Sequence, residues 1–134
     1  MSEAKAKLNN YRQSPRKVRL VADAIRGKSV EEAITALSFI PKRSALPLQN
    51  LLASAMANAK DQSLPIDGLV VREIKVDAAS TLYRRRPRSK GMSNPIRKRM
   101  SHISVTLAND PRPKKNKKTK KAVDEKSSVV NKES

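Results

Sequence analysis

Clustered arginine and lysine side chains are the residues of this sequence whose types and spacing can do chemistry. Residues 82–99 carry eight basic residues and no acid, and a smaller basic group lies at residues 12–19. A planar guanidinium donates paired hydrogen bonds to phosphate oxygens, so arginine suits phosphate and base edges better than lysine does. Phosphate binding is therefore predicted, against the alternative of a solvated charged loop. Six of the eight are arginines: Arg84, Arg85, Arg86, Arg88, Arg97 and Arg99.

His102 is the one side chain suited to acid–base or metal chemistry, because the chain has a single histidine and no cysteine. It has no second histidine or carboxylate pair near it in sequence, so we expect it to be structural or to contact RNA. Ser14 precedes a proline and is typical of a helix cap, and the three glycines form no phosphate-binding loop. We therefore expect no enzyme, no metal site and no cofactor.

The overall charge agrees with a polyanionic partner. Thirty Lys+Arg against 12 Asp+Glu give a net charge of +18, and residues 1–109 alone keep 21 − 8 = +13. An excess of this size attracts nucleic acid or an anionic membrane surface. The basic groups lack the Phe, Trp and Leu of an interfacial segment, and no apolar run approaches the ~20 residues of a membrane span. We expect a cytoplasmic protein with no membrane partner.

The two ends of the chain differ in composition. Residues 112–121 read R-P-K-K-N-K-K-T-K-K, and the remainder of the terminus is polar. Such a segment cannot bury itself, so residues 110–134 are predicted to be a disordered tail. Either non-specific neutralisation of RNA phosphates or an inert solubilising role fits it. Residues 1–109 are predicted to form a single α+β domain.

Three amphipathic helices are predicted to position the basic groups. The first has Ser14 as N-cap, Pro15 at its first position and Gly27 as C-cap. The second begins at Ser29, where Glu32 completes a capping-box pattern, and the third spans about 42–60. Their apolar stripes repeat with helical spacing. The stripes are Val18, Val21, Ala22 and Ile25; Val30, Ala33, Ile34 and Leu37; and Leu48, Leu51, Leu52, Ala55, Met56 and Ala59.

Two β-strands are predicted beneath the helices. Residues 69–78 alternate, with Val70, Ile74 and Val76 on the face opposite Val71, and Ile103, Val105 and Leu107 alternate near the end. Turn residues at 87–91 make one long antiparallel hairpin, whose outer part, about 77–99, projects from the globule by roughly 33 Å. Residues 4–12 are predicted to add a third strand.

A helix-turn-helix is the competing interpretation of the first helices. The predicted second helix contains no Lys or Arg, and the third has none between Arg43 and Lys60. Neither helix therefore presents a basic face to a DNA duplex. Tyr11 and Tyr83 could stack on bases, but two tyrosines and one phenylalanine do not make a stacking platform.

Several segments resemble bacterial large-subunit ribosomal protein twenty-two over about residues 4–109. They are S-P-R-K-V-R-L-V-A-D-A-I-R-G-K-S-V-E-E-A at 14–33, A-S-A-M-A-N-A at 53–59, and R-x-R-P-R-S-K-G with I-R-K-R-M-S-H-I-S-V at 84–91 and 96–105. The resemblance departs from the family at Ser89 and Met92, where alanine and arginine are usual, and at residues 78–80.

This resemblance implies a structural ribosomal protein. Its α+β domain would lie on the large subunit near the exit of the nascent-peptide tunnel, and its hairpin would thread through ribosomal RNA to the tunnel wall. The implied partners are large-subunit RNA, neighbouring ribosomal proteins and the nascent polypeptide, and no homo-oligomer is expected. The alternative is a free-standing DNA- or RNA-binding accessory protein.

The residues and the resemblance together nominate specific positions. The RNA-binding candidates are Arg12, Ser14, Arg16, Lys17, Arg19, Arg84, Arg85, Arg86, Arg88, Lys90, Arg97, Lys98, Arg99 and His102. The tunnel-lining tip, implied by the resemblance, comprises Arg86, Pro87, Arg88, Ser89, Lys90, Gly91 and Met92.

Overall fold

A computed structural model describes residues 3–66 and 68–109, and the tail predicted at 110–134 lies outside them. Three helices pack on a three-stranded antiparallel sheet, which confirms the predicted α+β class. The elements in chain order are β1 (Glu3–Tyr11), α1 (Pro15–Ile25), α2 (Val30–Phe39), α3 (Ala45–Asp61), β2 (Leu69–Pro87), a short 3-10 turn (Ser89–Gly91) and β3 (Ser93–Asn109).

Helix α1 forms where its start signal and apolar spacing predict it. Pro15 occupies the first turn, and all four predicted stripe residues are buried. The Ser14 side chain makes no cap hydrogen bond, although its carbonyl accepts from the Lys17 and Val18 amides at 3.1 and 3.3 Å. Arg26 is the C-cap, so the helix ends one residue earlier than predicted and Gly27 follows the cap. Its φ of +73° carries the chain sharply away from the helix.

Helices α2 and α3 complete the apolar layer. The Ser29 hydroxyl accepts a hydrogen bond from the Glu32 amide at 3.3 Å, as the capping-box pattern predicts for the serine half of that motif. Val30, Ala33 and Leu37 are buried on α2, whereas Ile34 is half-buried at the margin. Helix α3 contributes six buried residues to the same core. They are Ala45, Leu48, Leu51, Leu52, Ala55 and Ala59.

Strand β3 lies at the centre of the sheet, in the order β1-β3-β2. β1 pairs with β3 from Glu3 opposite Ala108 to Tyr11 opposite Ser101, which confirms the third strand. One face of the sheet packs against the helices. Its buried apolar residues include Ala4, Ala6, Leu69, Val71, Ile74, Val76, Ile103, Val105 and Leu107.

The start of β2 has the opposite phase to the predicted one. Val71 is fully buried and Val70 is only half-buried, whereas the alternation placed Val70 with Ile74 and Val76. A β-bulge between Val71 and Glu73 explains the difference. The bulge adds Arg72 without a partner on β3 and so reverses the faces of the residues before it.

Beyond the sheet, β2 and β3 continue as the predicted hairpin. Pairing runs out to Pro87 opposite Ser93, with a second register shift between Ala79 and Leu82. β1 pairs with β3 no farther than Ser101, and every residue from 83 to 99 is exposed. We call this two-stranded segment, residues 82–99, the arm. Lys90 and Gly91 at its tip have φ values of +58° and +71°.

Candidate nucleic-acid-binding surface

A basic groove lies where the arm leaves the globule. It has a volume of about 630 Å³ and separates the start of α1 from the returning strand of the arm. Six cationic side chains and no carboxylate line it among the residues the structure describes. We call it the root groove; its lining residues are Arg12, Gln13, Ser14, Lys17, Arg43, Arg97, Lys98, Arg99 and Met100.

The fold explains how residues so distant in sequence meet in the root groove. β1 is antiparallel to β3, so the segment that follows β1 returns to the point where β3 emerges from the sheet. The groove thus brings together six of the fourteen candidates, namely Arg12, Ser14, Lys17, Arg97, Lys98 and Arg99. Sequence reasoning missed Arg43, because a basic residue at the start of a predicted helix carries no signal of which other segment it will face.

Tyr11 ties the Arg43 turn to the end of β1. Its hydroxyl lies 2.9 Å from Gln13 Oε1 and 3.3 Å from the Arg43 carbonyl oxygen, and its single proton can be donated to either acceptor. Burial raises the pKa of the Tyr11 phenol above its ordinary value, and the Arg43 charge lowers it by less. The phenol therefore stays a neutral donor, which helps to hold one wall of the root groove.

Arg19 has a partner inside the protein. Its Nε and Nη2 atoms donate to the Val76 carbonyl oxygen at 3.1 and 2.8 Å, and Arg26 reaches the Ile74 carbonyl at 3.3 Å. Both acceptors lie on the edge of β2 that faces away from β3. Arg19 was nominated as an RNA contact, but the structure places its guanidinium on this strand edge. Arg16, on the same helix, is exposed.

His102 occupies the base of the arm. Its Nδ1 accepts a hydrogen bond from the Asn10 amide at 3.1 Å, so the proton of a neutral ring resides on Nε2. Asn10 has a φ of +55° and lies in the irregular part of the β1–β3 ladder. The ring thus satisfies an amide that the irregular ladder leaves without a strand partner, and its nomination as an RNA contact stays a prediction.

The remaining candidates lie along the arm. Arg84, Arg85 and Arg86 lie on the outgoing strand, and Arg88 and Lys90 lie at the turn, all of them exposed. The predicted tip is likewise exposed from residue 86 to residue 92, including Met92 at 67%. No acidic residue occurs on the arm to neutralise these charges.

The outer face of the sheet has a different character from the root groove. Lys5 pairs with Glu3 at 3.4 Å, Lys75 pairs with Glu73 at 3.0 Å, and Arg72 also pairs with Glu3. Cations here are matched by carboxylates of the same surface. Among the residues the structure describes, the arm and the root groove are therefore the largest groups of cations without a carboxylate beside them.

Across residues 3–66 and 68–109, no group of three or more metal-ligating side chains comes together. Within the same residues, no helix has the length and apolar character needed to cross a membrane.

Comparison with known proteins gives one consistent result. Residues 6–108 match the family model described as ribosomal protein L22p/L17e. The large ribosomal subunit protein uL22 of Pelobacter propionicus is 49% identical over 107 residues, which cover 79% of this chain and 96% of the relative. The protein of the same name from Desulfosudis oleivorans is 43% identical over 108 residues, 81% of this chain and 95% of the relative. That of Lactobacillus helveticus is 46% identical over 109 residues, which cover 81% of this chain and 93% of the relative.

An α+β platform with a cationic hairpin and an adjoining cationic groove is the architecture of a nucleic-acid-binding protein. The family match and the relatives say which kind. This chain belongs to the ribosomal protein L22p/L17e family. Membership confirms the resemblance found in the sequence and, with it, a structural role and not an enzymatic one.

Proposed function

We propose that this protein is a structural component of the large ribosomal subunit, in the cytoplasm, which binds ribosomal RNA through the arm and the root groove. The observation that carries the RNA-binding assignment is the root groove itself, with six cationic side chains and no carboxylate around one concavity. Cations brought together in this way repel one another until a polyanion neutralises them. Ribosomal RNA supplies closely spaced phosphates, and release of their counterions contributes much of the binding free energy.

The arm contributes a second RNA contact. It is two-stranded and bears eight basic residues, and such a ribbon is marginal in water without outside support. Ribosomal RNA packed on both sides provides that support. Because guanidinium and ammonium groups contact mainly the backbone, the arm recognises RNA shape more than base sequence. The contacts come from Arg84, Arg85, Arg86, Arg88, Lys90, Arg97, Lys98 and Arg99.

The tip of the arm lies beside the path of the nascent polypeptide and forms part of the tunnel wall. Its exposed residues, from Arg86 to Met92, include no carboxylate and one large apolar side chain, Met92. Neighbouring ribosomal proteins are the other partners. The protein enters the subunit as a single copy, since a net charge of +18 opposes association of two copies.

Two triple variants of equal net charge test the RNA-binding assignment. One replaces Arg12, Arg43 and Arg97 of the root groove by Gln; the control replaces Lys5, Arg72 and Lys75 of the outer sheet face by Gln. Binding to transcribed large-subunit RNA is measured from 50 to 200 mM salt, with circular dichroism to verify folding. Each phosphate contact contributes about 0.7–0.9 to the salt slope, so the groove variant should lower the slope by about 2–3.

The control should keep both the affinity and the salt slope of the original protein. Equal losses in the two variants would mean that net charge, not the root groove, determines binding. A protein that binds the RNA with no salt dependence would contradict the assignment altogether.

A further inference from the structure

The turn between α2 and α3 carries an exposed apolar surface that neither the core nor the root groove uses. Phe39, the last residue of α2, is 81% exposed, and Leu46 in the first turn of α3 is 65% exposed. Next to Phe39 in the chain is a hollow of about 440 Å³, lined in part by Ile40, Pro41 and Leu46. An exposed aromatic ring whose chain neighbours line an apolar hollow is typical of a surface that binds a partner.

The charges around this turn are all of one sign. Lys42 and Arg43 line the hollow, and no acidic residue lies in the first turn of α3. The other polar groups along it, Ser38 and Gln49, are neutral. An occupant should therefore combine an apolar flat group with a negative charge close by. A nucleotide has this combination at every position, with a base that stacks on aromatic rings and a phosphate that pairs with Lys or Arg.

The hollow and the root groove are connected through one residue. Arg43 lines both, and the Tyr11 hydroxyl lies 3.3 Å from its carbonyl oxygen, so the turn is tied to the groove wall. An RNA backbone bound in the root groove can thus continue past Arg43 to the turn. A protein partner would have to bring its own carboxylates to Lys42 and Arg43, whereas the RNA already carries phosphates there.

We propose that the α2–α3 turn binds one unpaired nucleotide of the ribosomal RNA, its base stacked on Phe39 and its phosphate held by Lys42 and Arg43. This inference rests on the proposed function, since it needs the RNA to occupy the root groove. It assigns to Phe39 a contact that basic residues alone cannot make.

Photo-crosslinking in the assembled particle identifies what covers Phe39. The residue is replaced by p-benzoylphenylalanine in the full chain, large subunits are isolated and irradiated, and the crosslinked partner is digested with ribonuclease or protease. A crosslink to RNA is the expected result. A crosslink to another protein, or none in subunits that contain the protein, would overturn the proposal.

Affinity measurements separate stacking from simple exposure. Phe39→Ala should weaken binding to transcribed large-subunit RNA by about 5- to 100-fold, while Phe39→Tyr, which keeps the ring, should stay within twofold. Leu20→Ala is the control, because Leu20 is also exposed, at 71%, but lies on α1 and is not aromatic. Undiminished binding by Phe39→Ala would refute the stacking contact alone, whereas failure of the unaltered protein to bind RNA would refute the proposed function.

Discussion

Arginines from one short stretch of sequence have different partners in this protein. Arg12 lines the root groove, Arg16 is exposed on α1, and Arg19 donates to the Val76 carbonyl. The sequence nominates all three as RNA contacts, because nothing in the local pattern separates one basic residue near the first helix from another. Which of them bonds to the protein depends on where β2 lies, and β2 is more than fifty residues away in the chain.

A matched pair of substitutions tests whether Arg19, unlike Arg16, stabilises the fold. Arg19→Ala removes two charge-assisted hydrogen bonds to the β2 edge and should lower the free energy of unfolding by about 1 kcal/mol. Arg16→Ala removes an exposed charge and should change it by less than about 0.5 kcal/mol. Urea denaturation of both variants gives the comparison. Equal effects on stability would mean that the Arg19 contact does not hold β2.

At the scale of the elements, the helices and most of the strand phase were predictable, and the phase at the start of β2 was not. Apolar residues three and four apart define a helix face from local sequence alone, and all four predicted α1 stripe residues are buried. The face of a strand residue depends on every bulge between it and its neighbours. The residue without a partner at Arg72 reverses the phase of Val70 and Val71, and nothing in the local pattern reveals that insertion.

The segment after α1 also covers the edge of β2. The Gly27 amide donates to the Val71 carbonyl, the Val71 amide donates to the Lys28 carbonyl, both at 3.0 Å, and Ser29 forms a bridge with Val70. This backbone pairing and the Arg19 and Arg26 side chains together contact the β2 edge at several points from Val70 to Val76. Such cover protects an edge strand from pairing with another chain.

Two glycines with similar positive φ values test how much the segment after α1 contributes to stability. Gly27 and Gly91 have φ values of +73° and +71°, and an added Cβ would meet nothing within 4 Å at either. Gly27→Ala should therefore cost only backbone strain, about 1 kcal/mol of unfolding free energy. Gly91→Ala at the tip should leave thermal unfolding of the globule unchanged. If Gly91→Ala instead lowered the unfolding temperature of the globule, the arm would unfold cooperatively with the core.

At the scale of the whole molecule, the apolar core and the largest basic segment of the described residues occupy different parts of the fold. The apolar core lies under the helices, whereas the arm contributes exposed residues from 83 to 99 and eight basic groups. The overall hairpin could be predicted from turn residues and two strand patterns. The root groove could not, since it forms only when β1 brings residues 12–17 alongside 97–100.

Free in solution, the arm should move independently of the globule. Backbone amides of residues 82–97 should have order parameters below about 0.6 in ¹⁵N relaxation measurements, against about 0.85 in the strands beneath the helices. Binding to transcribed large-subunit RNA should raise the arm values towards those of the core. An arm as rigid as the core before RNA is added would contradict this view of its stability.

The position of β3 has a mechanical consequence. The returning half of the arm and the middle strand of the sheet are one uninterrupted segment, flanked by β1 on one side and β2 on the other. Tension applied at the tip is therefore delivered along the strand axis to the centre of the globule. There the backbone hydrogen bonds that join β3 to its neighbours lie perpendicular to the applied force. They are therefore loaded together in shear, and the strand does not separate from the sheet one hydrogen bond at a time.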